Sequence, residues 1–144
     1  MLIQHILDSK PHTGVLTISK KVTLKDAIDD LAAHRVGALI VSEDGSTVDG
    51  IISERDIIRV LGQRGISCLS ETVKDNMTKD ITSCVKSNTA EEALQLMTDG
   101  RFRHLPVVED GVLVGLISIG DVVKARLTEI ENEKSAMVDM IRGY

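Results

Sequence analysis

Two serine–aspartate pairs hold the chemistry most open to interpretation in this chain. Ser53 and Asp56 stand in Gly50-Ile51-Ile52-Ser53-Glu54-Arg55-Asp56, and Ser118 and Asp121 in Gly115-Leu116-Ile117-Ser118-Ile119-Gly120-Asp121. Both segments obey one pattern: Gly, two apolar residues, Ser, two variable residues, Asp. Each sits where an apolar run passes into a helical pattern, which puts a hydroxyl and a carboxylate at a helix N-terminus. There the Ser oxygen accepts from first-turn N–H groups, and the Asp three positions on is favoured by the helix dipole. Two roles are open. S-x-x-D is the aspartate form of the capping box, a purely structural device. Alternatively, Asp accepts hydrogen bonds from vicinal hydroxyls while Ser and the helix N–H groups face a phosphate, which suits a polyhydroxylated anionic ligand.

A second constellation is Arg101-Phe102-Arg103-His104-Leu105-Pro106. Two guanidiniums and an imidazole precede an apolar strand that Pro106 helps to hold extended. The cluster reads either as a solvated strand start or as a phosphate clamp beside an apolar cleft. The matching residues of the first half are Arg35-Val36-Gly37-Ala38, so the two sites should differ in affinity or ligand.

The elements that position these residues occur twice. Thr23-Leu24-Lys25-Asp26-Ala27-Ile28 matches Thr89-Ala90-Glu91-Glu92-Ala93-Leu94, and Val36–Val41 matches Phe102–Val107, both at an offset of 66; from Gly50 and Gly115 onward the offset is 65. One residue has been gained or lost in the intervening turn, where length changes cost least. Within each half, Val15–Ile18 and Ile81–Val85 are expected to be short strands. Helical spacing follows at Leu24, Ala27, Ile28 and Leu31, and at Ala90, Ala93, Leu94 and Met97, with Thr23 and Thr89 as N-caps. Ala38–Ser42 and Leu105–Val108 lead into the hairpin signals Asp44-Gly45 and Asp110-Gly111. The return strands, Val48–Ser53 and Val112–Ser118, end on the motif. The helix after the first motif is expected to stop at Gly62 and Gly65. A longer helix should run from about Asp121 towards Ile141, with Val123, Leu127, Ile130, Met137 and Ile141 forming a stripe that Lys134 interrupts. That stripe either packs on its own domain or forms a dimer seam.

At 144 residues, 42% apolar and 27% charged, the chain has the composition of a soluble globular protein. No apolar run approaches the roughly 20 residues of a membrane span, and no signal peptide is evident. A net charge of −5 without a basic block disfavours nucleic acid as a partner, and Phe102 and Tyr144 are the only aromatics. Cys68 and Cys84 are isolated, which suits a reducing, cytoplasmic setting. His5, His12, His34 and His104 lack metal-ligand spacing, so no metal is expected and most should be ordinary surface or partly buried residues. No nucleophile elbow, Walker loop, H-E-x-x-H or cysteine cluster is present, which argues against an enzyme.

Tandem β-α-β-β-α units, each ending in G-h-h-S-x-x-D, resemble a cystathionine β-synthase (CBS) domain pair, or Bateman module. Arg101–Val107 and Ile117–Lys124 are similar to segments of the small stand-alone bacterial members. The resemblance implies an α+β fold of two repeats, residues 1–66 and 67–144, packed pseudo-symmetrically with a short N-terminal helix and an extended C-terminal one. It also implies a non-catalytic regulatory module whose clefts take AMP, ADP, ATP, NAD(H) or S-adenosylmethionine. By position, Asp56 and Asp121 would hold ribose hydroxyls, with Ser53 and Ser118 near phosphate. Leu16, Ile81 and Thr82 would offer backbone groups to the adenine edge, and Val36 and Phe102 would cover its face. Arg103 and His104 would contact phosphate, with Arg101 and Arg55 as weaker contacts and Pro106 and Ile119 flanking. The partners implied are a small-molecule nucleotide, a second copy in a homodimer, and an unidentified effector protein. A structural dimerisation module with empty clefts is the alternative.

Overall fold

The computed structural model describes residues 1–10 and 14–143; His12 and Tyr144 lie outside the described residues. Two units form, neither continuous in sequence. One comprises Gly14–Thr82 and Val108–Gly115; the other comprises Met1–Thr13, Ser83–Val107 and Leu116–Tyr144.

The first of these units carries the first motif. Strand β1 (Thr17–Ile18) leads into helix α2 (Leu24–His34), followed by β2 (Ala38–Val41), β3 (Gly50–Ser53) and α3 (Glu54–Arg64); the helix before β1, α1 (Ile3–Ser9), belongs to the other unit. Thr23 caps α2 in a capping box with Asp26, so two first-turn donors are satisfied locally. Leu24, Ala27 and Leu31 turn one helical face inward onto Leu39, Val41 and Ile52, and Ile57 and Val60 of α3 complete that core. β1 runs parallel to β2, and β2 antiparallel to β3, with Ala38 opposite Ser53 and Val41 opposite Gly50. This register places Ser53 at the end of the sheet, where α3 begins. A 3₁₀ turn (Ile66–Ser70) and a single helical turn, α4 (Val73–Asn76), follow.

Three expectations need correction in this unit, one being the return strand, which begins at Gly50 rather than Val48. Only Thr17–Ile18 of the expected Val15–Ile18 strand pairs. Gly62 does not end α3, which continues to Arg64 and stops at Gly65, a residue with φ of 72°. A glycine inside a helix costs propensity but blocks nothing, so packing carried the helix through.

The other glycine of this region is required. A Cβ on Gly50 would lie 2.6 Å from Met77 Sδ and 2.9 Å from the Thr78 carbonyl oxygen. Thr78 is bridged to Ile51 by two backbone hydrogen bonds of 3.0 and 2.9 Å, so that oxygen has nowhere to move. Gly50→Ala is expected to cost about 1–3 kcal/mol in urea unfolding. Gly62→Ala, with nothing within 4 Å of the added methyl, should be neutral or stabilising by up to about 1 kcal/mol.

The second-motif unit contains α1 (Ile3–Ser9), α5 (Ala90–Gly100) and α6 (Ile119–Arg142), together with most of β4 (His104–Glu109) and the end of β5 (Val112–Ser118). Thr89 caps α5 in a box with Glu92. β4 and β5 pair as a two-stranded sheet. Asp110 and Gly111 join them with φ of 49° and 78°, the paired positive values of a type I′ turn. The expected strand Ile81–Val85 does not form. Only Cys84 makes a parallel bridge, to Val107, with its N–H donating to the Pro106 carbonyl at 3.0 Å. Ile3, Ile6, Ala93, Met97, Leu105, Ile117 and Val122 are buried in this unit.

Candidate functional site

Both motifs fold the same way because the same short-range bonds are available to each. Ser53 and Ser118 are N-caps in extended backbone, and each opens a helix. Asp56 N–H donates to Ser53 Oγ at 3.2 Å, and Asp121 N–H to Ser118 Oγ at 3.1 Å. The carboxylates reciprocate: Asp56 Oδ2 accepts from Ser53 N–H at 3.0 Å, and Asp121 Oδ2 from Ser118 N–H at 2.9 Å. The capping role is therefore present at both motifs.

The approach to each helix is duplicated as well. Arg35 and Arg101 cap α2 and α5 in the left-handed region, with φ of 54° and 57°. Val36 N–H then donates to Leu31, and Phe102 N–H to Met97, each at 3.1 Å. Next, Glu54 N–H donates to the Gly37 carbonyl at 2.9 Å, and Ile119 N–H to the Arg103 carbonyl at 2.8 Å. The residue whose carbonyl meets the helix start is thus glycine in one repeat and arginine in the other. Arg103 therefore meets the start of α6 through its backbone, where Gly37 meets the start of α3.

The remaining predicted residues divide by position. His104 and Phe102 are half-buried, Pro106 is buried inside β4, and Ile119 opens α6. Arg55, Arg101 and Arg103 are exposed. Leu16 is exposed just before β1, Ile81 is half-buried and Thr82 exposed, all three outside regular elements. Val36 faces an open groove of about 640 Å³ along α2 and α3, lined by Ile28, Leu31, Arg35, Glu54 and Ile58 among others. Neither Ser53 nor Asp56 lines that groove. Among the described residues, no cluster of His, Cys, Asp and Glu is arranged to hold a metal ion. Among those residues, too, no helix is long and apolar enough to cross a membrane.

A family model for the CBS domain matches residues 5–63 and again 71–128. The chain belongs to the CBS-domain family. This CBS pair is 38% identical over 125 residues to the mitochondrial CBS domain-containing protein CBSX3 of Arabidopsis thaliana, covering 84% of this chain and 61% of that protein. The pair thus spans about three-fifths of that relative's length. A CBS-domain containing protein of Agrobacterium tumefaciens shares its structure with a TM-score of 0.83 and 40% identity, over 88% of this chain and 99% of that one. A CBS domain protein of Pyrobaculum aerophilum complexed with AMP has the same fold at 22% identity, with a TM-score of 0.73 over 84% and 89% of the two chains.

Within the CBS pair the two aspartates differ in their surroundings. Asp56 is buried, 7% exposed, and its Oδ1 accepts from Arg59 Nη2 at 3.2 Å and Thr78 Oγ1 at 3.4 Å. Asp121 is more open and holds Lys10, whose Nζ donates to Asp121 Oδ2 and to the Leu116 carbonyl, each at 2.8 Å. Burial alone would raise the Asp121 pKa; the bonds from Lys10 and Ser118 outweigh it and hold the carboxyl below its ordinary value. A depressed carboxylate contributes stability above its unfolded pKa and loses it as pH falls through the folded value. Asp121→Asn should therefore lower the melting temperature at pH 7, and the difference should close below about pH 4.

Lys10 is the site residue that the sequence did not reveal. It follows α1, ahead of the segments that match between the two halves in the sequence, and no motif marks it. Gly100 is another. A Cβ there would stand 2.0 Å from the Phe102 ring, so the glycine is what lets Phe102 fold back over the end of α5. The signal available in the sequence was a Gly at a helix end with an aromatic two residues on.

Proposed function

We propose that this CBS pair is a non-catalytic regulatory module that binds an adenosine ligand and conveys the ligand's level to a partner protein. AMP is the foremost candidate, with ADP, ATP and NAD(H) sharing the recognised moiety. The second motif supports the reading: Asp121 is a partly open carboxylate at the start of a helix whose Ile119 N–H donates to the Arg103 carbonyl. Asp121 would accept from the ribose hydroxyls, while Arg103, His104 and the first-turn N–H groups of α6 meet phosphate. Phe102, held back by the space at Gly100, would cover the adenine, and Lys10 would release Asp121 or turn to the phosphate. The AMP complex of the Pyrobaculum protein supports this choice of ligand.

The first motif is the weaker site in this reading. Asp56 is buried and already bonded to Ser53, Arg59 and Thr78, and Gly37 supplies no cation. Ser53 and Ser118 would act through hydrogen bonding alone, since each hydroxyl accepts from its own helix. The module would work as a cytoplasmic homodimer. One observation favours a second reading, a structural dimerisation module with unliganded motifs: both Ser–Asp pairs close complete capping boxes. Mass spectrometry of small molecules released from the freshly purified protein separates them. An adenosine compound in stoichiometric amount supports the regulatory reading, and its absence, together with failure to reload with AMP, supports the structural one.

A further inference from the structure

We propose that α6 pairs antiparallel with α6 of a second copy of this chain, in the register that sets Leu127 of one copy against Ile130 of the other. The proposal rests on the homodimer reading above but not on the ligand.

Three features of α6 lead there. First, from Glu131 to Arg142 every residue is exposed except the half-exposed Val138. About twelve residues of helix without tertiary cover are marginal in water. Second, the exposed face is apolar in a coiled-coil rhythm: Val123, Leu127, Ile130, Met137 and Ile141 are 43–83% exposed and occupy alternating steps of four and three, with Lys134 at one step. The stripe lies roughly a third of a turn around from Val122 and Ala125, which face the unit's own core. Third, the residues flanking the stripe are charged in blocks, Lys124 and Arg126 early and Glu131 and Glu133 later.

The charges choose among the pairings. Antiparallel, with Leu127 against Ile130, the flanks bring Lys124 to Glu131 and Arg126 to Glu133, twice each across the two-fold axis. Lys134 then lies over Val123, and Met137 over Gly120, which has no side chain to obstruct it. Sliding one heptad to put Leu127 against Met137 sets Glu131 and Glu133 each against its own copy. Sliding the other way, Val123 against Leu127, opposes Lys124 to Lys124 and Arg126 to Arg126. A parallel pair stacks Lys134 on Lys134 in the seam. Arg126 is held by Glu129 in its own helix at 2.5 Å, so it would share its guanidinium with the incoming Glu133. Such exposed pairs add little affinity, which must come from the stripe, but like charges facing each other reject the wrong registers.

Cross-linking reads the register directly, because positions 127 and 130 are exposed and tolerate cysteine, while Cys68 and Cys84 are buried. Full-length Leu127→Cys and Ile130→Cys chains, mixed and oxidised without nucleotide, should form a 127–130 disulfide dimer. Leu127→Cys alone should not. A Leu127→Cys homodimer, or a disulfide between Leu127→Cys and Met137→Cys, would overturn the proposal. Charge variants give an independent readout in light scattering. Lys124→Glu/Arg126→Glu and Glu131→Lys/Glu133→Lys should each weaken self-association about tenfold or more, and a one-to-one mixture should restore it. A wild-type chain that stays monomeric refutes the homodimer and this seam together; a dimer without the 127–130 link refutes only the seam.

Discussion

Asp121→Ala is expected to weaken AMP binding by about 10- to 100-fold while leaving the fold intact. A hydrogen bond to a charged group is worth about 1.5–3 kcal/mol, and each 1.4 kcal/mol is tenfold in affinity. The proposed contact is a carboxylate receiving ribose hydroxyls, so the upper part of that range applies. Asp121 also receives the Ser118 N–H and Lys10, and losing those bonds should lower stability modestly. The contrast is Asp56→Ala. Asp56 is 7% exposed and bonded to Ser53, Arg59 and Thr78, so its removal breaks the capping box of α3 and costs about 0.5–2 kcal/mol of stability. AMP affinity should change less with Asp56→Ala than with Asp121→Ala. Equal loss of melting temperature in both variants, with unchanged affinity in both, would leave only the capping role.

Ile52→Ala should be the most destabilising single change considered, at about 2–5 kcal/mol by chemical denaturation. Ile52 is fully buried in β3, opposite Leu39, within the core formed by α2, α3 and the sheet. Removing its branched chain leaves a cavity among Leu24, Leu31, Leu39 and Ile57, groups fixed by helices and strands that have little freedom to collapse. It is also the residue before Ser53, so the cavity lies directly behind the first motif. Ile52→Val should cost about 0.5–1.5 kcal/mol, which separates lost volume from disruption of the strand.

The architecture was legible because the chain states it twice. Thr23 and Thr89, Ser53 and Ser118 are found as N-caps, and Asp110-Gly111 makes the hairpin turn that its dipeptide announces. Local chemistry decides such features, so local sequence reveals them. What failed depended on partners distant in the chain. Ile81–Val85 has strand composition, but only Cys84 finds a neighbour in register. Gly62 looks like a stop, but α3 has its core face at Ile57 and Val60 and runs on past the glycine. The segment after α3, with its 3₁₀ turn and single helical turn, carries neither of the motifs by which the halves were aligned.

The candidate site shows the same division. The two motifs and the inequality of Gly37 and Arg103 could be read from alignment of the halves. Lys10 could not, because it reaches Asp121 from 111 residues away in the chain. Nor could the different exposure of Asp56 and Asp121, which follows from Thr78 and Arg59 closing over one and Lys10 only bridging the other. These differences, rather than the motifs themselves, are the support for the proposal that the second repeat is the stronger site.

Calorimetric titration of the purified chain with AMP, followed by ATP and NADH, tests that claim most directly. Saturable binding with a dissociation constant below about 1 mM, lost on Asp121→Ala and largely kept on Asp56→Ala, is the predicted result. No heat of binding with any of the three, on protein shown to be folded and free of endogenous ligand, would contradict it.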